Sequence, residues 1–465
     1  MDLRAWRLYT SRMSSTENTQ QKIVSLCKRR GFVFQSSDIY GGLANVYDYG
    51  PLGAEMMKNI RNLWWKTFVY SRPDVVGMES QILMHPKVWE ASGHVAGFND
   101  PLIDCKACKN RFRADHLISE KLPDVDTDDY GYTGLEELVE KHKIVCPICG
   151  KFDWTDIRDF NLMFESKLGP SSDDQTTIYM RPETAQGMFV HFKNIMNTER
   201  KKIPFGIAQI GKAFRNEITK GNFIFRTLEF EQMELQYFIR ESEWEKSFED
   251  WRGQIEHWYN DVLGIDGAKF RWKPHHPDKL AHYAKKAEDY EYKFSWGFDE
   301  VSGLHYRTDF DLKTHQEHSG TDLGVFEEGE EKFIPHVMES TYGLNRNMYM
   351  ILDNAYVEEE DRVVLKLDKE IAPYKVAVFP LLKNKEELVK KAREVFNMFV
   401  EAGISVAWDE RGNIGKRYYS QDEIGTPFCV TIDFETLEKN SVTIRNRDTM
   451  DQKRVEINGL LKEII

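Results

Sequence analysis

Apolar positions follow a helical period in some stretches of the chain and a strand-like one in others. Residues 20–35 predict a short helix entering a Gly-Phe step. Met56, Ile60, Leu63, Trp64 and Phe68 recur at helical spacing, which predicts a helix over residues 53–70 that Pro73 stops. Val75–Leu83 reads as a strand. Residues 99–155 interrupt the pattern with a polar, cysteine-bearing insertion. Residues 156–240 alternate strand-like runs with one helix. Trp244, Phe248, Trp251, Ile255 and Trp258 predict a helix over 241–265. Residues 290–352 are strand-rich and end in a helix from about Asn345. After Ala372-Pro373, strands at Lys375–Leu381, Ile404–Trp408 and Pro427–Asp433 alternate with helices at Lys385–Ala402 and Asn413–Glu423. Such alternation predicts a small α/β domain. Residues 354–371 are rich in Glu and Asp, and the charge run Glu358–Arg362 reads as a solvated linker.

Composition narrows the class. A chain of 465 residues exceeds one ordinary core, so two or three domains are expected. With 41% hydrophobic and 30% charged residues it is globular, and no apolar run approaches the ~18 residues that span a membrane. The net charge of −13 argues against a general nucleic-acid coat, so any RNA contact needs local basic patches. Four of the six cysteines form two tight pairs, which points to a metal and a reducing compartment. In residues 1–19, Arg4, Arg7 and Arg12 alternate with Trp6, Leu8 and Tyr9, as in a mitochondrial transit segment. Asp2 and the shortness of the stretch favour a plain tail and a cytoplasmic location.

Three constellations carry chemistry. Cys105, Cys108, Cys146 and Cys149 form a CxxC…CxxC set able to surround one Zn²⁺ in a structural site. Phe205–Phe238 reads as a long antiparallel hairpin around the loop Lys220-Gly221-Asn222. Period-2 geometry gives Arg226, Phe230, Gln232 and Glu234 one face of its second strand, and Arg215 and Glu217 share a face of the first. Guanidiniums match phosphate oxygens and an aromatic ring stacks a base, although a salt-bridged solvated hairpin would read alike. Finally, Glu339-Ser-Thr-Tyr-Gly343-Leu-Asn-Arg346 carries a strand into a helix and puts Arg346 in its first turn, an anion-binding arrangement. His85, His94 and His116 read as core or surface histidines. Lys416-Arg417-Tyr418-Tyr419 and Thr443-Ile-Arg-Asn-Arg447 pair cations with rings or a strand, a combination suited to RNA.

Together these segments resemble the signatures of class II aminoacyl-tRNA synthetases, and within them the homodimeric glycyl-tRNA synthetases. The resemblance rests on Tyr47-Asp-Tyr-Gly-Pro-Leu-Gly53, Trp89-Glu-Ala-Ser-Gly-His94, Arg181-Pro-Glu-Thr-Ala-Gln-Gly187, Phe214-Arg-Asn-Glu-Ile218, Glu229-Phe-Glu-Gln-Met-Glu234 and Arg307-Thr-Asp-Phe-Asp-Leu312. It continues in Gly415-Lys-Arg-Tyr418 and Asp422-Glu-Ile-Gly-Thr-Pro427. It implies an α+β fold with residues 1–19 as a tail. Residues 20–353 would be an antiparallel-sheet catalytic domain with the insertion at 99–155. A linker at 354–371 and a C-terminal α/β anticodon-binding domain at 372–465 would follow.

The implied ATP site is Arg215, Asn216, Glu217, Phe225, Arg226, Phe230, Glu300, Val301, Gly343 and Arg346, with Arg215 and Arg346 catalytic and Glu300 a ligand of the Mg²⁺ that accompanies ATP. The implied amino-acid site is Arg113, Glu183, Glu231, Gln232, Glu234, Arg307, Glu339 and Thr341. Implied partners are glycine, ATP, tRNA(Gly) and a second copy of the chain, meeting through the stretch around Trp64–Leu83, with no membrane and no DNA. Four departures stand out. Leu228 replaces a common arginine and faces the site by strand parity. Thr341 replaces serine, Asn446 replaces aspartate, and Phe298-Asp299 are extra. A serine-type class II enzyme is countered by Glu183 with Glu234. A catalytically inactive binding subunit is countered by the retention of Arg215, Arg226 and Arg346.

Overall fold

A proline in the first turn, where its missing N–H costs nothing, opens helix α1 (Pro51–Trp65) in the computed structural model. Residues 19–464 are described, except 124, 128–129, 171–174, 219–221, 278–279, 282, 328 and 330. Most of the expected N-terminal tail and the loop residues Lys220-Gly221 therefore lie outside the described residues. Met56, Ile60 and Trp64 on α1 are fully buried, and a wider turn, Lys66–Tyr70, carries Phe68 into the same core. The strand after Pro73 is shorter than its apolar run suggested: β1 is only Val75–Gly77, and Leu83 makes an isolated bridge to Met180. Two short helices follow, α2 (Pro86–Ala91) and α3 (His94–Gly97).

Six further strands complete the main sheet: β2 (Phe205–Phe214), β3 (Glu229–Ile239), β4 (Phe270–Pro274), β5 (Lys286–Phe294), β6 (Gly297–Thr308) and β7 (His336–Gly343). Their order is β4-β5-β6-β7-β3-β2-β1, antiparallel throughout except for β1 beside β2. Helices α1, α4 (Trp244–His257) and α5 (Leu344–Ala355) cover one face. Phe68 sits at the centre of that layer, its ring 5.2 Å from both Trp64 and Tyr342 and 5.9 Å from Trp258. On β3, Met233 and Leu235 are fully buried in this core. Strand alternation then turns Gln232, Glu234 and Gln236 to the opposite face.

The insertion has its own three-stranded sheet (Asn99–Asp104, Arg111–Arg113, Arg158–Asn161) and its own core around Ile103, Ile118 and Leu138. The C-terminal module has sheet order β11-β10-β12-β13-β14, with β10 (Val376–Pro380) parallel to β11 (Val406–Trp408) and β12 (Phe428–Ile432). The edge is antiparallel, β13 (Ser441–Asn446) and β14 (Gln452–Glu456). Helices α6 (Glu386–Glu401) and α7 (Ile414–Asp422) fall where the periodicity predicted them.

The solvated linker is overturned. Tyr356–Glu358 (β8) and Val363–Leu365 (β9) pair as a hairpin, and Leu365, Leu367, Ile371 and Ala372 join the core of the catalytic sheet. Arg362, in the middle of the charge run, is buried. It donates to Asp422 Oδ2 at 2.6 Å, and Arg445 grips the same carboxylate at 2.8 and 2.9 Å. The acidic count concealed the short apolar run Val363-Val364-Leu365.

Candidate active site

A cleft of about 470 Å³ opens on the face of the sheet opposite α1, lined by β3, β6, β7, the start of α5 and the α3 segment. Register aligns its floor: Glu234 lies across from Thr341, which lies across from Gly303, and Gln232 lies across from Gly343. A Cβ on Gly303 would sit 2.8 Å from His305 Cε1, so this position leaves room for the imidazole.

One end of the cleft is a buried carboxylate cluster. Glu183, Glu234 and Glu339 line this end, with the buried Arg307 guanidinium behind them. Arg307 clasps Asp311 with two bonds of 2.8 Å and donates to Glu339 at 2.8 Å. Gln236 Nε2 bridges Glu234 Oε1 at 2.9 Å and Glu339 Oε2 at 2.7 Å. The Thr184 N–H and hydroxyl both donate to Glu234 Oε2. Gln186 donates to Glu183 at 2.8 Å and to Asp311 at 3.1 Å. Burial opposes charge on Glu183, yet His94 and Arg307 outweigh it and hold its carboxyl down at about 2. Burial likewise opposes charge on Glu339, and Arg307 with His305 pulls it below the usual carboxylate range. The hydrogen bonds to Glu234 come from the neutral Thr184 and Gln236. Burial, then the charges of Glu339 and Glu183, push it well above that range. Such a cluster is completed by a cation.

The other end lies four residues away along β3, about 13 Å by strand rise. It is cationic and aromatic. The Arg215 guanidinium sits between two rings, 5.3 Å from Phe98 and 5.4 Å from Phe230. Arg346 lies 4.9 Å from the Phe225 ring and pairs with Glu300 at 2.7 Å. Burial opposes charge on Glu300, but Arg346 outweighs it and holds the carboxyl at about 2. Arg226 approaches Glu217 at 3.7 Å. Glu217 Oε2 and Gln232 Oε1 are buried acceptors without a hydrogen-bond partner, the condition a bound donor relieves. Arginine forks beside an open aromatic face suit a nucleotide triphosphate, and the glutamate cluster suits an ammonium.

The four cysteines converge. Cys105 Sγ lies 3.6 Å from Cys149 Sγ, Cys108 Sγ lies 3.6 Å from Cys146 Sγ, and all four ligand atoms fall within 4.8 Å of one another. Tetrahedral thiolates at ~2.3 Å from zinc would be ~3.8 Å apart, so the set fits. The two pairs are built alike. In each, the N–H of the residue after the second cysteine (Lys109, Gly150) returns to the carbonyl of the first, and both residues have positive φ.

Several expected positions lie elsewhere. Arg113 is outside the cleft lining, held by Asp115 at 2.6 Å and Asp100 at 3.1 Å. Glu231 does line the cleft, but its carboxylate is taken by Arg61 of α1 with two bonds of 2.7 Å. Val301 is a core residue whose carbonyl accepts from Tyr259 and Asn347. Neither Asn216 nor Leu228 lines the cleft. Strand β3 begins only at Glu229, after a turn at Phe223–Phe225, so parity does not extend back to Leu228 or Arg226. Arg307 supports Glu339 from beneath. Sequence reasoning missed His94, Phe98, Tyr283, His305 and Asn345, all of which line the cleft.

In the C-terminal module, Arg417 is buried and donates to the carbonyls of Pro380, Glu410, Arg411 and Gly412. Tyr418 is buried against Thr431, Arg445 and Arg447 are buried, and only Lys416 and Tyr419 of the basic-aromatic run are exposed. That run is mostly a structural staple.

Three family profiles match the chain. One described as tRNA synthetase class II core domain (G, H, P, S and T) covers residues 164–355. An anticodon binding domain covers 375–465, and a glycyl-tRNA synthetase insertion domain 1 covers 124–162. The glycine–tRNA ligase of Alkaliphilus oremlandii is 48% identical over 456 residues, covering 96% of this chain and 98% of that one. That of Clostridium beijerinckii is 49% identical over 463 residues, covering 96% and 98%. That of Treponema denticola is 48% identical over 463 residues, covering 97% and 98%.

Proposed function

The chain belongs to the glycine–tRNA ligases, class II aminoacyl-tRNA synthetases, and we propose from that premise how its residues divide the reaction. The enzyme activates glycine with ATP to glycyl-adenylate and then transfers the glycyl group to the 3′ end of tRNA. The observation that carries the division is the two-ended cleft, with an under-neutralised glutamate cluster at one end and stacked arginines about 13 Å along the same strand.

Glu183 and Glu234 hold the glycine ammonium, with Glu339 and Thr341 beside them and Arg307 fixing Glu339. Phe230 supports the adenine, Glu217 accepts from its amino group, and Arg226 and Arg346 clamp the outer phosphates. Arg215 bridges the α-phosphate and the glycine carboxylate. Its guanidinium is held flat between Phe98 and Phe230, so charge building on the phosphate meets a preset donor. The glycine carboxylate attacks the α-phosphorus and pyrophosphate leaves, so no protein nucleophile is needed. Positioning and charge stabilisation suffice. Glu300 would hold a Mg²⁺ accompanying ATP, which would supply neutralisation of phosphate charge. Cys105, Cys108, Cys146 and Cys149 would hold a zinc whose role is to brace the insertion.

Residues 372–465 are the anticodon-binding unit, resting on the profile match. The enzyme acts as a homodimer, a reading supported by exposed Tyr70 and Leu83 on the stretch following α1. Its place is the cytoplasm; among the described residues no helix is long and apolar enough to cross a membrane. The test is ATP–pyrophosphate exchange with a panel of amino acids. Stimulation by glycine alone is expected. Equal stimulation by serine or alanine would sink the assignment of glycine as the amino acid.

A further inference from the structure

We propose that His94 is a positioning residue for amino-acid binding, fixing the Glu183 carboxylate through its Nε2–H while its ring walls the cleft. The inference rests on reading Glu183 as an ammonium acceptor.

The local sequence builds this placement. Helix α2 ends at Ala91, and the Gly93 N–H closes back on Glu90 O at 3.1 Å. Gly93 then takes φ +82°, a left-handed conformation that glycine adopts without strain, and α3 starts at His94 in a new direction. The turn sends the imidazole into the cleft lining. There it is clamped edge-on by Trp89 at 5.7 Å and Phe98 at 5.3 Å. Phe98 is the ring that also covers Arg215, so one segment supports both ends of the cleft.

The proton inventory sets the role of each ring nitrogen. Ser92, 2% exposed, places its hydroxyl 2.8 Å from His94 Nδ1 and 3.3 Å from Trp89 O. The hydroxyl has one proton: given to Nδ1 it leaves a neutral ring with Nε2–H, and given to Trp89 O it accepts from Nδ1–H of an imidazolium that also carries Nε2–H, so Nδ1 is satisfied inside the segment in either case. Nε2 is left facing Glu183 Oε2 at 3.5 Å, and a carboxylate there is met favourably only by N–H. Glu183 Oε1 is already held by Gln186 at 2.8 Å. With both oxygens oriented, each keeps a lone pair for an incoming ammonium. Removing the imidazole N–H frees one side of that carboxylate without touching the arginine end.

Glycine-dependent and ATP-dependent pyrophosphate exchange is measured for the wild type, His94→Phe, His94→Gln and Ser92→Ala, with melting temperatures alongside. His94→Phe keeps the wall and is expected to raise the KM for glycine about ten- to a hundredfold, with the KM for ATP changed about twofold or less. His94→Gln offers an amide N–H and recovers part of the loss. Ser92→Ala raises the glycine KM a few-fold by freeing the ring, and this variant decides the matter if His94→Phe does not fold. An unchanged glycine KM in His94→Phe, or equal increases in both KM values, overturns the proposal. So does a His94→Gln variant no better than His94→Phe, or an unaffected Ser92→Ala. A wild type whose exchange ignores glycine instead overturns the reading of Glu183 itself.

Discussion

Replacing Glu234 with glutamine separates the charge of this carboxylate from its shape. The side chain is fully buried, accepts from Thr184 and Gln236, and faces Glu183 and Glu339. Burial opposes charge on both neighbours, yet His94 and then Arg307 keep Glu183 ionised, and Arg307 and then His305 keep Glu339 so. Glu234 is therefore the member of the cluster that takes up a proton when no substrate is present. A bound ammonium reverses that balance and expels the proton. The sign follows: a group whose pKa is raised in the free enzyme and lowered in the complex makes binding tighten as pH rises. Between the ordinary carboxylate range and the raised value, the glycine KM should fall about tenfold per pH unit, and above it the KM should level off. Glu234→Gln mimics the protonated form, so it should fold normally and lose this slope. It also loses a desolvated charge partner, on the order of 2–4 kcal/mol, or roughly 30- to 900-fold in glycine use. The KM for ATP should be little changed, since Phe230, Arg215 and Arg346 are untouched. The assay is glycine- and ATP-dependent exchange across pH, with a melting curve for each protein. A Glu234→Gln variant that keeps the wild-type pH slope for glycine would refute the argument, as would an unaltered glycine KM.

Metal analysis of protein purified without chelator should find about one zinc per chain, and Cys146→Ser should release it and lower tRNA charging more than adenylate formation. Arg417→Ala should lower the melting temperature by removing donors to four carbonyls, whereas exposed Lys416→Ala should leave stability alone and flatten the salt dependence of tRNA binding. Asp422→Ala leaves Arg362 and Arg445 buried without their carboxylate and should cost on the order of 3–5 kcal/mol in urea unfolding.

The sequence made the strand-helix alternation of the C-terminal module and the amphipathic α1 and α4 readable, because each places apolar side chains at one clear period on a half-buried face. It did not make Tyr356–Leu365 readable. That hairpin is short, and its charges dominate any count even though Arg362 is enclosed. The cleft was legible where a strand alternates. Phe230, Gln232 and Glu234 share a face as their spacing demanded, and Glu231 falls on the other face by the same rule. Legibility stopped where strands stop. Leu228 and Arg226 precede β3, and no parity argument reaches them. His94 and Phe98 enter from a helix break 85 or more residues before Glu183 and Arg215 in sequence, so only the fold brings them together.

The arginines show why residue type alone could not assign roles. Arg215, Arg346 and Arg417 are all arginines near a strand or helix end, and each is at least partly enclosed. Arg417 spends its donors on backbone carbonyls of the loops after β10 and β11, which leaves little capacity for a ligand. Arg215 makes one bond to the Pro182 carbonyl at 3.1 Å and is otherwise flanked by rings, which hold a guanidinium in place without consuming its N–H groups. Arg346 is intermediate: one nitrogen meets Glu300 and another the Phe225 carbonyl. The distinction is thus between donors already saturated by the fold and donors positioned by stacking. An arginine between two aromatic rings on a cleft wall is prepared for an anion, while one surrounded by carbonyls has already found its acceptors. On that criterion Arg215 and Arg346 are the arginines of these that keep capacity for an anion, and the buried arginines of residues 362, 417 and 445 serve to fasten the C-terminal module together and to the hairpin that precedes it.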